Sequence, residues 1–381
     1  MTEYKNLPDS DDHQFPIEPR FHPVNRIVRR VYDCFASSKL AMTLLVSILL
    51  CCIVGVTFYR GVRAGEMIFG TLWFNALLVL LVVNVACCFF GRIWHRKLTL
   101  ITFGMILFHL SFVSILGGVV YNSLFYFRGT IRLTEGETLP NGEKQSYDIF
   151  DHGRFFNFSR LKGETTLLKM HKGYKIKGDD KRVAYEIAVG EGRAKKKGLL
   201  YITNPFEYNE FSYFSDKEGY SLLIVLSGKE GKDIFGAYIP LQSIKQKNNS
   251  YLYTTGSKEG PGSFPFPQGE VKPLVGMQVS YLPSQLKERG GDALFQVWPL
   301  NADGTPVKKP VATEKVAIGE TIAAGGYFVA AREVRYWVAM VVRYEPGKPI
   351  ILASLWVALA GMVITTFGRM FKKGGKRVVE S

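Results

Sequence analysis

The sequence predicts a membrane protein with four transmembrane α-helices, three before and one after a large exported antiparallel β domain. Three observations predict this class: long apolar segments, basic residues gathered at one set of their ends, and a strand-and-turn pattern between the third and fourth segments. The predicted boundaries are a cytoplasmic tail at 1–34, three helices at 35–127, an extracytoplasmic β-rich domain at 128–348, and a fourth helix with a basic cytoplasmic tail at 349–381.

Four apolar segments form the predicted membrane region. They are Leu40–Phe58, Thr71–Gly91, a segment that begins at Leu98, and Ile350–Gly368. Each has about 19 or more residues without a formal charge, and a helix of that length, rising about 1.5 Å per residue, crosses a hydrocarbon core about 30 Å thick. Buried helices of soluble proteins seldom stay uncharged over this length, so the pattern predicts four transmembrane helices.

Basic residues are concentrated at one set of segment ends, and the formal net charge is +15. The clusters are Arg26, Arg29, Arg30 and Lys39 before the first segment, Arg92, Arg96 and Lys97 between the second and third, and Arg369, Lys372, Lys373, Lys376 and Arg377 after the fourth. Four crossings place these clusters on one side of the bilayer, which the positive-inside rule makes cytoplasmic. The positions of the charges therefore favour a lipid bilayer, and not nucleic acid, as their partner, with both termini cytoplasmic.

The region 128–348 has the pattern of antiparallel strands. Val183–Gly192 and Val275–Pro283 partly alternate apolar with polar residues, and other runs are rich in β-branched and aromatic residues. Clusters of Gly, Pro, Asn and Asp separate these runs. Alternation with a period of two, bounded by turn residues, indicates strands and hairpins, and we predict a β-sandwich.

Residues that could carry catalysis are sparse in this region. It contains no G-x-S-x-G, H-E-x-x-H or Gly-rich phosphate-binding motif. Its histidines, His152 and His171, are either metal or haem ligands or exposed strand and loop residues, and the second interpretation is the commoner one. The cysteines of the chain are Cys34, Cys51, Cys52, Cys87 and Cys88. The exported domain therefore has no disulfide and cannot carry out thiol–disulfide exchange.

His109 lies about eleven residues into the third apolar segment, near the middle of the predicted membrane span. A titratable side chain at that depth is costly, so it faces protein or a water-filled cavity. One interpretation is an interhelical hydrogen bond to Asn75, Asn84 or a serine hydroxyl. The other is an axial ligand to haem iron or to another metal ion. The residues alone favour the hydrogen bond.

Five stretches in order resemble the ResB (CcsB-type) component of the System II cytochrome c biogenesis machinery. They are FASSKLAMTLLVSIL at 35–49, LWFNALLVLLVVNVACCFFGR at 72–92, LFHLSFVSILGG at 107–118, ITNPFEYNEFSYFSD at 202–216 and YEPGKPIILASLWVALAGM at 344–362. The resemblance covers about Phe35 to Lys373. The tail before it falls outside, and the link between the second and third segments is shorter than the family pattern.

The resemblance implies a role in a bacterial plasma membrane complex that carries haem outward and attaches it to the C-x-x-C-H motifs of apocytochrome c. Its partner is a CcsA-type (ResC) membrane protein with a tryptophan-rich haem-handling segment. That segment is absent from this sequence, so the chain is expected to be a subunit without activity alone. By the family pattern His109 is an axial ligand to haem b.

The haem propionates require cationic or hydrogen-bonding partners. Candidates at the outer rim of the predicted membrane region are Arg60, Arg63, Arg128, Arg132 and Arg343. Each of them also fits an arginine that extends to lipid phosphates. Two alternatives stay open: a membrane scaffold that binds no haem and presents apocytochrome c to a haem-bearing partner, and an envelope sensor or assembly protein unrelated to haem.

Overall fold

The computed structural model describes residues 23–59, 62–93, 98–176, 179–180, 182–246, 251–257, 260–269, 272–284, 286–301, 306–307 and 309–377. Arg60, Arg96 and Lys97 lie outside these ranges, as does most of the tail predicted at 1–34. The described residues form two compact units. A helical unit lies within 1–60, 71–120 and 349–381, and a β unit takes in residues 62–70 and 121–348.

Six α-helices occur within the described ranges. They are α1 Pro23–Phe35, α2 Ser38–Val54, α3 Val62–Ala64, α4 Leu72–Ile93, α5 Leu100–Phe125 and α6 Lys348–Arg377, with π-helical turns at Gly55–Tyr59 and Gly65–Phe69. Four stretches are long and apolar enough to cross a membrane: Ser38–Tyr59, Leu72–Phe89, Leu100–Phe125 and Lys348–Phe371. The prediction of four long apolar helices, three before and one after the β region, is confirmed. These helices indicate a multi-pass membrane protein.

Helix α1 was not predicted, because the sequence analysis assigned residues 1–34 to a cytoplasmic tail. Its apolar residues recur at the three- and four-residue spacing of an amphipathic helix. The Asn84 side-chain amide on α4 donates to the carbonyl oxygens of Phe35 and Ser37 at 2.6 and 3.0 Å. These bonds fix the turn between α1 and α2 against α4.

Small residues permit close helix contacts in the helical unit. A Cβ atom at Gly104 on α5 would lie 2.7 Å from the carbonyl oxygen of Gly361 on α6, so only glycine fits there. The Ser354 hydroxyl donates to the Ser114 hydroxyl at 2.9 Å between the same helices. Close backbone approach and hydroxyl hydrogen bonds are the interactions that hold apolar helices together when water does not drive their association.

The first strands of the β unit are β1 Phe127–Thr134, β2 Thr138–Pro140, β3 Tyr147–His152, β4 Glu164–Lys172, β5 Lys175–Ile176, β6 Asp179–Asp180, β7 Val183–Gly190, β8 Lys196–Leu200 and β9 Phe206–Tyr208. The later strands are β10 Phe211–Ser227, β11 Asp233–Pro240, β12 Gln242–Lys245, β13 Tyr251–Thr254, β14 Gly256–Ser257, β15 Gly260–Pro261, β16 Phe264–Phe266, β17 Val275–Pro283, β18 Gly291–Pro299, β19 Ala312–Ala317, β20 Thr321–Ala324 and β21 Tyr327–Tyr344.

The described strands pair antiparallel throughout, as predicted. The central sheet has the order β11-β10-β21-β1-β3, with β20 beside β21 and β9 beside β10. A second sheet has the order β12-β13-β17-β18-β19 with β16 beside β17, and a third the order β2-β4-β7-β8. The chain leaves α5 into β1 and passes from β21 into α6, and β1 and β21 pair along the whole of β1.

The β unit contains two hydrophobic cores and not the single sandwich core that the sequence suggested. One core fills the space between the central sheet and the third sheet, and includes Tyr213, Tyr336 and Val342. The other lies between the central sheet and the second sheet, and includes Leu222 and Val334. The long strands β10 and β21 contribute side chains to both cores.

Two β-bulges keep the core residues of these long strands on one face. In β10 the pairing with β21 skips Asp216, so the inward positions change from the odd-numbered Phe211 and Tyr213 to the even-numbered Leu222 and Ile224. In β21 the pairing skips Arg332 in the same way. A bulge inserts one unpaired residue and reverses the alternation of side chains beyond it. Both cores therefore lie side by side on the same face of the ladder.

Candidate functional site

His109 lies within α5 with its ring against α4. The ring stacks on Phe89, with centroids 4.1 Å apart and planes 13° apart. Phe108 meets the ring at 63°, with centroids 5.5 Å apart. The Nδ1 atom of His109 is buried and has no hydrogen-bond partner within the described part of the chain. A buried polar atom without a partner is rare in folded proteins, so the His109 Nδ1 is a candidate ligand atom.

Among the described residues, no hydrogen bond reaches the Nδ1 atom of His109. The Asn75 side-chain amide donates to the Thr71 carbonyl oxygen at 3.0 Å, and the Asn84 amide is directed to the start of α2. The nearby Ser111 hydroxyl donates to the Leu107 carbonyl oxygen at 2.6 Å within its own helix. Among the described residues, the imidazole therefore contacts aromatic rings and its Nδ1 has no polar partner. A nitrogen of this ring can act as a ligand to a metal ion or to haem iron.

Arg128 and Arg343 meet directly across β1 and β21. The guanidinium of Arg343 lies over the Phe214 ring, with its Cζ atom 4.8 Å from the centroid. The Arg343 Nε is buried and has no hydrogen-bond partner among the described residues. Asp151 on β3 is the cross-strand partner of Arg128 on its other side. A single carboxylate cannot pair with every N–H group of two guanidinium ions. The remaining N–H groups could donate hydrogen bonds to a bound carboxylate or phosphate.

The segment that carries Arg63 belongs to the same compact unit as this arginine pair. Gly65 approaches Asp151 so closely that a Cβ atom would overlap its carboxylate. Tyr126 also hydrogen-bonds to Asp151, and burial together with this bond raises the pKa of Tyr126 above its usual range. Arg63 is exposed. Asp151 thus joins the short link between α2 and α4 to β1 of the β unit.

Arg132 is more fully engaged than the other rim candidates. Its Nη2 lies 2.7 Å from the Asp148 Oδ2, and its Cζ lies 5.1 Å from the centroid of the Trp337 ring. The Trp337 Nε1 donates to the Leu241 carbonyl oxygen at 3.1 Å. Since Arg132 already has a carboxylate partner, it is a weaker anion ligand than the Arg128–Arg343 pair, although its Nε also lacks a described partner.

His109 belongs to the helical unit, whereas Arg128 and Arg343 belong to the β unit. The predicted site residues therefore divide between an imidazole position within α5 and an anion-binding position on the β unit.

A cavity of about 330 Å³ in the β unit was not predicted from the sequence. Its lining residues are Met170, Lys172, Glu218, Gly219, Tyr220, Ser243, Tyr251, Tyr253 and Tyr336. The Lys172 Nζ lies 4.1 Å from the centroid of the Tyr336 ring and donates to the Tyr220 hydroxyl at 3.3 Å. The Tyr185 hydroxyl donates to the Glu218 carboxylate, and burial, followed by this bond, raises the pKa of Tyr185 above its usual range.

The remaining histidines of the β unit have local partners. The His152 Nδ1 lies 2.9 Å from the Gly153 carbonyl oxygen, and the His171 Nε2 lies 3.6 Å from the Glu186 Oε2. Within the described ranges no group of three or more His, Cys, Asp or Glu residues is placed to hold a metal ion. His152 and His171 are therefore strand residues with ordinary contacts.

The two Cys-Cys pairs stand far apart in the helical unit. The Cys88 Sγ donates to the Ala36 carbonyl oxygen at 3.1 Å, at the start of α2. Cys51 and Cys52 lie near the end of α2, about 21 Å further along the helix at 1.5 Å per residue. None of the four forms a disulfide, and this separation excludes a disulfide between the pairs.

No protein-family model matches the chain, and no curated protein is similar to it at a significant level. The functional interpretation therefore depends on the residues and their geometry.

Proposed function

We propose that this chain is a ResB-type haem-handling subunit of a cytochrome c biogenesis complex in the bacterial plasma membrane. The four apolar helices span the bilayer, both termini are cytoplasmic, and the β unit is extracytoplasmic. The chain works with a CcsA-type partner that has a tryptophan-rich segment. Together they carry haem outward and attach it to apocytochrome c.

The observation that carries this proposal is the imidazole of His109. Its Nδ1 is buried without a hydrogen bond, inside an apolar helix pair and against the ring of Phe89. An unpaired imidazole in an apolar site is destabilising unless a ligand uses it. Haem iron accepts a neutral imidazole as an axial ligand, and the flat apolar macrocycle suits a space between helices. The residues present therefore fit the group.

The short link between α2 and α4 supports the proposed topology. In a four-span arrangement this link and the β region lie on the same side of the membrane. Residues 62–70 belong to one compact unit with residues 121–348, and Gly65 lies against Asp151. Residues that pack in one compact unit cannot lie on opposite sides of a bilayer, so the link and the β region share a side, as the proposed topology requires.

The Arg128–Arg343 pair supplies the second position on the outward path. Haem supplies two propionate carboxylates and, for attachment, vinyl groups that accept the thiols of C-x-x-C-H. The paired guanidinium groups bind and orient carboxylates, since their donors are arranged in planar forks. The β region contains no cysteine, so the chain positions haem and does not reduce the apocytochrome thiols.

Absorption spectroscopy of the detergent-purified complex tests the proposal. The chain is co-expressed with its tryptophan-rich partner, as wild type, as His109→Ala and as the control His171→Ala. We expect the Soret band to shrink or shift only in His109→Ala, with both subunits still present, and added imidazole to restore it. A Soret band unchanged in His109→Ala would contradict haem ligation by this chain.

A second candidate function is a scaffold that binds no haem and presents apocytochrome c to the haem-bearing partner. The tyrosine-lined cavity of the β unit favours it, because tyrosine, serine and lysine side chains bind peptides through both ring faces and hydroxyl groups. This candidate predicts that a C-x-x-C-H peptide binds the purified chain without haem. It also predicts an unchanged Soret band in His109→Ala.

A further inference from the structure

Helix α1 has an uncovered apolar face. Ile27, Val28 and Val31 are 64%, 62% and 50% exposed. At 100° per residue, these side chains and Tyr32 fall within an arc of about 140°. Arg29, Arg30 and Asp33 lie on the opposite side, since the same rotation carries them out of this arc. Three exposed branched side chains on one face of a helix form an apolar patch of the kind that contacts a protein partner or a membrane.

Helix α1 is held beside the start of a membrane-length helix. The Tyr32 hydroxyl donates to the Cys87 carbonyl oxygen on α4 at 2.8 Å. The Asn84 amide bonds to Phe35 and Ser37 fix the other end of the turn. Only Ala36 and Ser37 separate α1 from α2, whose own residues Met42 and Leu45 are also exposed. The uncovered apolar face of α1 is therefore followed, after a two-residue turn, by exposed apolar residues of α2.

The charged face of α1 identifies the lipid class. Arg29 and Arg30 are both exposed, and Asp33 is the acidic residue among the described side chains of α1. Lys39 adds another exposed cation at the start of α2. An amphipathic helix with basic residues opposite an apolar arc lies in the plane of the bilayer interface and is attracted to anionic headgroups.

We infer that α1 is an interfacial helix that inserts Ile27, Val28 and Val31 at the acyl boundary of the cytoplasmic leaflet and binds anionic phospholipid through Arg29 and Arg30. The inference rests on α2 lying in a bilayer, as the proposed function requires, and not on haem handling. Hydrogen bonds join α1 and the turn after it to α4. The position of α1 on the membrane surface therefore constrains the cytoplasmic ends of α2 and α4.

Amide hydrogen exchange of the full chain in lipid nanodiscs tests the inference. The discs contain phosphatidylcholine alone or an equal mixture with phosphatidylglycerol. We expect slow exchange of residues 27–35 in the mixture, and faster exchange when both Val28→Asp and Val31→Asp are present. The variant with Arg29→Gln and Arg30→Gln should lose about thirtyfold in protection in the mixture only, since each surface arginine accounts for about a fivefold effect.

The controls separate local from general effects. Ile202→Asp in the β unit, where Ile202 is also highly exposed, should leave exchange in α1 unchanged. Equal exchange of α1 in wild type and in both double variants, with α2 and α4 still protected, would overturn the inference alone. Protection that appears only with two chains per disc would assign the face to a second copy. Loss of protection throughout α2 and α4 would instead overturn the membrane span and the proposed function together.

Discussion

Arg128 and Arg343 are direct cross-strand partners in β1 and β21, although both side chains are cations. The two strands are the ones that follow α5 and precede α6. Like charges directly opposite in a sheet are destabilising, and the Arg343 Nε lacks a described hydrogen bond. A sheet position with an electrostatic cost is expected where function requires it.

Neutralising Arg128 should relieve its repulsion from Arg343 while weakening the function. Asp151 is the other cross-strand partner of Arg128, so the test uses an Asp151→Asn background, in which that attraction is absent. There we expect Arg128→Gln to raise the free energy of unfolding by about 0.5 kcal/mol at low salt, and by less at high salt because screening already reduces the repulsion. Chemical denaturation at two salt concentrations measures this, with Arg154→Gln, an exposed turn arginine, in the same background as control. Arg128→Gln alone should lower the yield of haem-attached cytochrome c. A loss of stability when Arg128→Gln is added to Asp151→Asn would show that the arginines are not a strained pair.

The ring of Phe89 should orient His109. Removing it in Phe89→Ala frees the imidazole to rotate, and since an aromatic pair is worth about 0.5–1.5 kcal/mol, the ligand-competent rotamer should fall about two- to tenfold. The measurement is the Soret band of the co-expressed complex under limiting haem. The control is Phe112→Ala, which removes an exposed aromatic ring from α5, the helix of His109. Adding Phe89→Ala to His109→Ala should cause no further spectral loss, and additive losses would contradict the coupling.

Gly219 should be intolerant of a side chain. A Cβ atom there would lie 2.7 Å from the Trp337 Nε1, which is fixed by its bond to Leu241. Overpacking of this kind costs about 1–3 kcal/mol, so Gly219→Ala should lower the denaturation midpoint. Gly228→Ala is the matched control, because its Cβ would be 3.6 Å from the Ile234 Cδ1, an ordinary contact. Equal midpoints for the two variants would show that the indole can move aside.

The cluster of Glu333, Arg335 and Tyr238 should make the stability of the β unit depend on pH. The Arg335 Nε and the Tyr238 hydroxyl both donate to the Glu333 carboxylate, at 2.8 and 2.5 Å. These hydrogen bonds lower the pKa of Glu333. Burial, followed by the bond to Glu333, raises the pKa of Tyr238 to about 12. Because its pKa is lower in the folded state, Glu333 stabilises the fold at pH values above its unfolded pKa of about 4.3. This stabilisation is lost as the pH falls through the folded pKa.

At alkaline pH the change of stability with pH has the opposite sign. The raised pKa of Tyr238 contributes stability that is full below the unfolded value of about 10 and is lost as the pH rises through about 12. Thermal unfolding across both limits should show a flatter acid limb for Glu333→Gln and a flatter alkaline limb for Tyr238→Phe. Identical limbs in the wild type and both variants would show that other groups control the pH dependence.

The apolar helices and the antiparallel strands could be predicted because each depends on local composition. A long uncharged segment has one stable conformation in lipid, and alternation with turn residues specifies strands. Helix α1 was visible in the spacing of Ile27, Val28 and Val31, but the basic residues around it were interpreted as a topogenic cluster on a tail. That interpretation and an amphipathic helix are compatible.

The functional geometry could be predicted only in part. His109 was identified from its position in an apolar segment, whereas its stacking on Phe89 depends on how α4 and α5 pack. The pairing of Arg128 with Arg343 requires the register of two strands far apart in sequence, and no local pattern contains that information. The tyrosine-lined cavity likewise arises from strands that meet only after the two cores have formed.

The bulge at Asp216 is the feature that allows β10 to serve both cores, and its removal should be severe. Deleting Asp216 restores regular alternation and turns Phe211 and Tyr213 out of their core if Leu222 and Ile224 keep their places. Exposing two large apolar side chains costs about 1.5–3 kcal/mol each, so the deletion should destabilise the β unit by about 3–6 kcal/mol. Asp216→Ala retains the bulge, and because Asp216 is exposed it should change stability by less than about 0.5 kcal/mol.

Limited proteolysis and denaturation of the purified full chain compare the two variants at Asp216. Rapid cleavage within residues 211–227 in the deletion, with an intact pattern in Asp216→Ala, is expected. A deletion variant as resistant as wild type would mean that the ladder can move its register elsewhere along β21. The bulge at Arg332, whose guanidinium pairs with Asp233 through two 2.7 Å bonds, is the position where such a compensating shift would occur.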